Sequence, residues 1–177
     1  MFSLPDPLHP AIVHFPIVLI FLGTLLSIFS VITKRGALPQ YTALVLVLAA
    51  ASAQLAVMAG EAQETQIARR APETKATIEE HARWGELTRT VSIVTAAVAL
   101  TTLLFHGSKG LRKGLAFVTM LGAIGASYCV VEAADHGFGM VFHQGIGIQS
   151  ETAKPSAPAP SGAASPQPTA SASGSSQ

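Results

Sequence analysis

The chain is poor in charge. Only 12% of its 177 residues are Asp, Glu, Lys or Arg, about half the share of an ordinary soluble domain. With 49% hydrophobic residues and a mean hydropathy of +0.45, this argues against a water-soluble globule. Neither sign dominates. Lys+Arg 11 against Asp+Glu 10 leave a net charge of +1, without the basic footprint that a nucleic-acid partner requires. Cysteine is nearly absent: Cys129 alone excludes an intrachain disulfide framework, a thiolate zinc knuckle and covalent haem attachment. Any cofactor is then held by nitrogen or oxygen. A Gly-x-x-x-x-Gly-Lys-Ser/Thr phosphate loop is also lacking, and Asp135 beside His136 does not orient a hydrolase triad by adjacency alone.

What is present is long apolar runs. No charged residue falls between Pro7 and Thr33, and Ala11 to Thr33 is dense in Ile, Val, Leu and Phe. That stretch is long enough to cross a bilayer. Further apolar runs cover Thr42 to Gly60, Thr90 to Phe105 and Leu115 to Val131. The expectation is an all-α, four-transmembrane-helix bundle over residues 1–150, with helices at about 10–33, 42–61, 84–105 and 115–136. The first segment has no Lys or Arg before it and reads as a retained helix rather than a cleaved leader. The Pro, Ala and Ser of 151–177 cannot bury a core, so a disordered C-terminal tail is expected. No internal repeat is apparent.

Lys34 and Arg35 lie in the first connection, and Lys109, Arg112 and Lys113 in the third. The longer middle connection carries its cations at lower density among glutamates, so the positive-inside rule puts loops one and three in the cytoplasm and both termini outside. Five of the six histidines then gather at the outer face: His9, His14, His81, His136 and His143. His106 sits in an ordinary turn at the opposite side.

Spacing sharpens this cluster. Gly122, Gly125, Cys129, Glu132 and His136 fall on one stripe of the last helix, with Glu132 and His136 an i,i+4 pair. Tight small-residue packing, with Glu132 paired to Arg89, explains the stripe equally well. His81, Gly85, Thr88 and Ser92 form a matching face on the third helix, and Ala49, Ala53, Ala56 and Gly60 a small-residue stripe on the second. Pro16 frees the carbonyl of Ile12, so a kink is expected just beyond His14. Apolar residues after His136 suggest that this segment folds back and brings His143 towards the other histidines. Charges of both signs at helical spacings over Glu61 to Glu80, broken by Ala71-Pro72, allow two short amphipathic pieces that extend the second and third helices outward, while for Thr65 to Thr77 a solvated connector is expected.

The opening Leu8-His9-Pro10-Ala11-Ile12-Val13-His14-Phe15-Pro16 is joined by Gly60-Glu61, by Glu79-Glu80-His81 with Gly85-Glu86, and by a closing His136-Gly137-x-Gly139-Met140-Val141-Phe142-His143-Gln144-Gly145-Ile146-Gly147. Together they resemble a bacterial family of four-helix integral membrane proteins, a domain of unknown function with a His-Pro-x-x-Val-His-Phe-Pro start. The resemblance covers about residues 8 to 149, although Gln144 separates His143 from Gly145 where the family often runs His-Gly-Val-Gly-Val. It implies a redox setting, since such proteins occur beside or fused to cytochrome domains.

Two site chemistries and a structural role are open. Bis-histidine haem b would use His14, His81 or His136 as axial ligands, with His143 and Gly85 nearby, Glu132 orienting His136, and Arg83 or Arg89 pairing with propionates. A Cu, Zn or Fe ion would use nitrogen from His9, His14, His81, His136 and His143, supplemented by glutamate oxygen. The third reading is a non-catalytic structural or assembly subunit. Expected partners are the lipid bilayer, a cytochrome or other electron carrier, and a second copy of the chain; the expected location is the bacterial inner membrane.

Overall fold

The structure, a computed structural model, describes residues 9–33, 36–70, 75–105 and 108–144. Five helices follow one another: α1 (His9–Ile12), α2 (His14–Ile32), α3 (Leu38–Arg70), α4 (Lys75–Leu104) and α5 (Lys109–Gln144). The last four are each long and apolar enough to cross a membrane. The tail at 151–177, His106 and Gly145 to Gly147 lie outside the described residues.

The helices outrun their apolar cores. The α3 helix continues to Arg70 and α4 begins at Lys75, so the two outward extensions are present, and Thr65 to Arg70 and Lys75 to Thr77, expected as a solvated connector, are helical. Hydropathy marks only the membrane-compatible portion, whereas the mixed charges of 61–70 and 75–86 favour helix as readily as apolar residues do. The α5 helix likewise runs straight through His136 to Gln144. The expected fold-back is therefore corrected: Phe138 stacks on Phe142 at 4.2 Å along a continuing helix, and His143 lies about two turns beyond His136. In place of the kink expected just beyond His14, α1 gives way to α2 ahead of it, at Val13, whose backbone stays helical. Proline at position 16 has no N–H to give the Ile12 carbonyl, which loosens that turn.

Each of α2 to α5 packs chiefly on two neighbours in a closed circuit of α2, α3, α4 and α5, leaving α2 diagonal to α4 and α3 diagonal to α5. The interior is built from small residues. Ala43, Ala49 and Ala123 are at most 1% exposed, and Ile20 and Ser27 are the largest side chains fully enclosed. Large apolar side chains such as Phe15, Leu44, Val94 and Phe117 instead point outward, which suits lipid. Without a hydrophobic drive between helices in a bilayer, close backbone approach supplies the packing.

The two helix hairpins share one pattern, a correction to the expectation of no repeat. Pro16, Ile20, Gly23 and Ser27 are the buried positions of α2; Thr88, Ser92, Thr95 and Ala99 recur in the same spacing on α4. On α3 the buried series Thr42, Leu46, Ala49, Ala53 and Ala56 is matched on α5 by Thr119, Ala123, Ala126, Val130 and Ala133. Even the hydroxyls agree, since Thr42 and Thr119 each donate to the carbonyl four residues back, Leu38 and Leu115, at 2.9 Å. Residue identities diverge while burial register is kept. Gly23 faces Val45 and Leu46, whereas in the second hairpin the bulk is on the other side and Thr95 faces Gly122. The diagonal placement of the equivalent helices makes the bundle axis an approximate twofold.

Candidate histidine site

His9 opens α1 and His81 lies in the second turn of α4, seven residues before the equivalent positions Pro16 and Thr88. These two equivalent imidazoles meet at one end of the axis. Their ring centroids are 6.1 Å apart and their planes are at 88°.

Both rings are held by the same device. The Nδ1–H of His9 donates to the Ala56 carbonyl at 2.9 Å, and that of His81 donates to the Ala133 carbonyl, also at 2.9 Å. One helical turn further on, a glycine makes room for each ring. A Cβ on Gly60 would stand 3.1 Å from Cε1 and 3.3 Å from Nδ1 of His9; a Cβ on Gly137 would stand 3.0 Å and 3.4 Å from the same atoms of His81. An Ala-x-x-x-Gly stretch on the neighbouring helix thus seats the imidazole: alanine provides the acceptor and glycine the space. With Nδ1 carrying the proton, each Nε2 keeps its lone pair. Burial holds His9 below its usual pKa, with the Ala56 hydrogen bond partly offsetting this, so its neutral form is favoured.

The other proposed ligands are less convergent. His136 donates Nδ1–H to the Glu132 carbonyl at 2.8 Å; the expected orienting contact exists, but through the backbone rather than the carboxylate. Its ring tilts at 31° to Trp84, 6.5 Å away, and Trp84 in turn meets Tyr128 edge-on at 5.9 Å. His14 is exposed on α2. His143 is also exposed and contacts Phe138 on its own helix at 6.3 Å. Among the described residues, no group of three or more His, Cys, Asp or Glu side chains is poised as a metal cluster.

Of the expected accessory residues, Arg89 is paired with Glu61 at 3.9 Å rather than with Glu132. Arg83 is exposed and lies 4.0 Å from Glu80. Gly85 faces Val57, 3.9 Å from a notional Cβ, rather than a ring. Below the histidines, the Oγ of Ser92 is buried without a hydrogen-bond partner among the described residues. At the opposite end of the axis a cavity of about 10 Å³ is bounded by Ser27 with Ala99, Ser30 with Thr102, Pro39 with Ala116, and Thr42 with Thr119. These are four equivalent pairs in the repeat, so the cavity lies on the same twofold.

Sequence reasoning missed the partnership of His9 with His81 and the seats at Ala56/Gly60 and Ala133/Gly137. The available signal was an Ala-x-x-x-Gly at the end of the second and fourth spans, each preceded by a histidine at the start of the span before it.

A family model described as "Predicted membrane protein (DUF2231)" matches residues 5–150. No curated protein and no solved structure matches the chain.

Proposed function

The chain belongs to this DUF2231 family of predicted membrane proteins, and from that premise we propose that it binds a redox centre, haem b, between His9 and His81 and serves electron transfer. The carrying observation is the 6.1 Å separation of two rings from different helices. With the two Nε2 atoms turned to face each other, two metal–nitrogen bonds of about 2 Å each plus about 1 Å from each nitrogen to its ring centre would require roughly this span. The pinned Nδ1–H groups support the reading, because a metal-ligating histidine generally donates its other ring nitrogen to a carbonyl or carboxylate, which fixes the tautomer. Bound haem would supply a one-electron couple. The protein's part is to hold both imidazoles in place and to surround them with helix; Arg83 and Arg89 could pair with propionates only by leaving Glu80 and Glu61. His136 and Trp84 flank the α5 side of the site, and an electron-carrying partner such as a cytochrome would dock at this end.

The proposed setting is the bacterial inner membrane, with the histidine end outside. Lys109, Arg112 and Lys113 start α5 at the opposite end, and positive connections remain cytoplasmic.

A second reading is a bare copper ion held by the two imidazoles, favoured by one observation: both Nδ1–H groups are engaged by backbone carbonyls, which leaves both Nε2 lone pairs free. Absorption spectra of detergent-purified protein, oxidised and dithionite-reduced, decide between them. Sharp α and β bands on reduction that vanish in His9→Ala and His81→Ala establish the haem reading. Stoichiometric copper without those bands establishes the second, and neither signal leaves the histidines a packing role.

A further inference from the structure

Among the described residues, Lys109, Arg112 and Lys113 at the start of α5 have no acidic counterpart at their end of the bundle. Asp and Glu are absent from Pro7 to Gly60 and from Leu87 to Val131, so both hairpin turns are exclusively basic. A cavity of about 110 Å³ opens there between α3, α4 and α5, lined by Gly36, Pro39, Gln40, Thr102, Leu103 and Arg112. Taking about 30 Å³ per water, it has room for a tetrahedral oxyanion with some hydration.

The chemistry of the lining selects an anion. Among the described residues Arg112 is in no ion pair, and its guanidinium forks onto phosphate oxygens with fixed donor geometry. Gln40 adds amide donors. Thr102 contributes less, because its hydroxyl already donates to the Val98 carbonyl at 3.0 Å. The surroundings then distinguish a lipid phosphate from a free one. Leu104, Leu111 and Tyr41, on the same three helix ends, are 78%, 45% and 60% exposed, so the polar cavity has an apolar collar that acyl chains would cover. Basic pockets between transmembrane helices are a recurrent way of gripping anionic headgroups.

We propose that this cavity binds the headgroup phosphate of an anionic phospholipid from the surrounding leaflet. The contact would anchor the ends of α3, α4 and α5 together. It depends on the membrane location alone and is independent of what His9 and His81 hold.

The test uses the full chain in detergent, with phosphatidylglycerol, phosphatidylcholine or inorganic phosphate added at equal concentration. Native mass spectrometry reads retained lipid, and thermal unfolding reads stabilisation. Phosphatidylglycerol is expected to be retained and to raise the unfolding temperature, while phosphatidylcholine and phosphate do neither. Arg112→Gln should weaken phosphatidylglycerol retention about tenfold, the loss of one charge-assisted contact; Arg112→Lys should fall between, and Lys75→Gln at the far end should match the parent. If Arg112→Gln does not fold, the graded losses in Arg112→Lys and Gln40→Ala carry the test. Equal retention of both lipids, an equal response to phosphate alone, or Arg112 variants that bind like the parent would overturn the proposal.

Discussion

His9 and His81 occupy the same seat on different hairpins, with ring centroids 6.1 Å apart and each Nδ1–H tied at 2.9 Å to an alanine carbonyl. Because the seat is made by backbone and by missing side chains, the imidazoles are oriented without help from a carboxylate. What they present to one another is fixed by the approach of the helices. The repeat therefore builds a two-armed site from one half-site used twice.

Equivalence of the half-sites predicts equivalent losses. His9→Ala and His81→Ala should each abolish the bound centre, whereas His14→Ala and His143→Ala should leave it intact, since those rings are exposed. Absorption spectra and iron or copper content per chain check this. Retention by His9→Ala together with loss in His14→Ala would refute the assignment of the pair.

The glycine seats predict an inverted response to alanine. An exposed helical Gly→Ala change gains up to about 1 kcal/mol from propensity. Gly85→Ala should show part of that gain, because its Cβ would meet Val57 at an ordinary 3.9 Å. Gly60→Ala and Gly137→Ala set a methyl 3.1 and 3.0 Å from an imidazole carbon, so the ring must shift. Those two variants should lose the gain and weaken cofactor retention, as read by thermal unfolding and by spectral titration.

Much of this architecture was legible in the amino acids, and the limits have physical causes. The four spans followed from runs without charge, and the stripe of Ala49, Ala53, Ala56 and Gly60 marked a real packing face, since the three alanines are buried. That His9 and His81 share one end of the bundle follows from the up-and-down alternation of the spans. The partner of His81 was not legible, because periodicity identifies a face but not which other face it meets. Nor was the repeat, because bulk is exchanged across the interface: glycine at position 23 corresponds to threonine at 95, and valine at 45 to glycine at 122. Identity is lost at those sites while combined volume is maintained. The length of α5 escaped for a different reason: Glu132, Asp135 and His136 end the apolar run without ending the helix.

Acid should weaken the cofactor-free fold. His9 has its pKa lowered by burial, so as pH falls through about 6.5 the unfolded chain takes up a proton before the folded one does. Stability is then fully present above that value and declines towards the lower folded pKa. Thermal unfolding of metal-free protein across this range should show the decline. His9→Asn, which keeps a donor for the Ala56 carbonyl without a titrating ring, should reduce the slope. An unchanged slope in that variant would mean that His9 does not contribute to the acid sensitivity.

The exchange of bulk between hairpins yields the most direct test of the repeat. A Cβ on Gly122 would come within 2.5 Å of the Thr95 Oγ1, so Gly122→Val should overpack the α4–α5 contact and cost about 1–3 kcal/mol. In the first hairpin the corresponding pair is Gly23 and Val45: a Cβ on Gly23 would meet Val45 at an ordinary 3.7 Å, while its close neighbour at 2.6 Å is Leu46, the counterpart of Ala123. Adding Thr95→Gly to Gly122→Val recreates that pair and should recover much of the loss, although glycine in α4 retains a propensity cost of up to about 1 kcal/mol. A double-mutant cycle measured by thermal unfolding in detergent should give a favourable coupling of about 0.5–3 kcal/mol, the range expected for residues in contact. Additive losses would mean that equivalent burial does not make the interfaces interchangeable, and the twofold would describe only the placement of the helices.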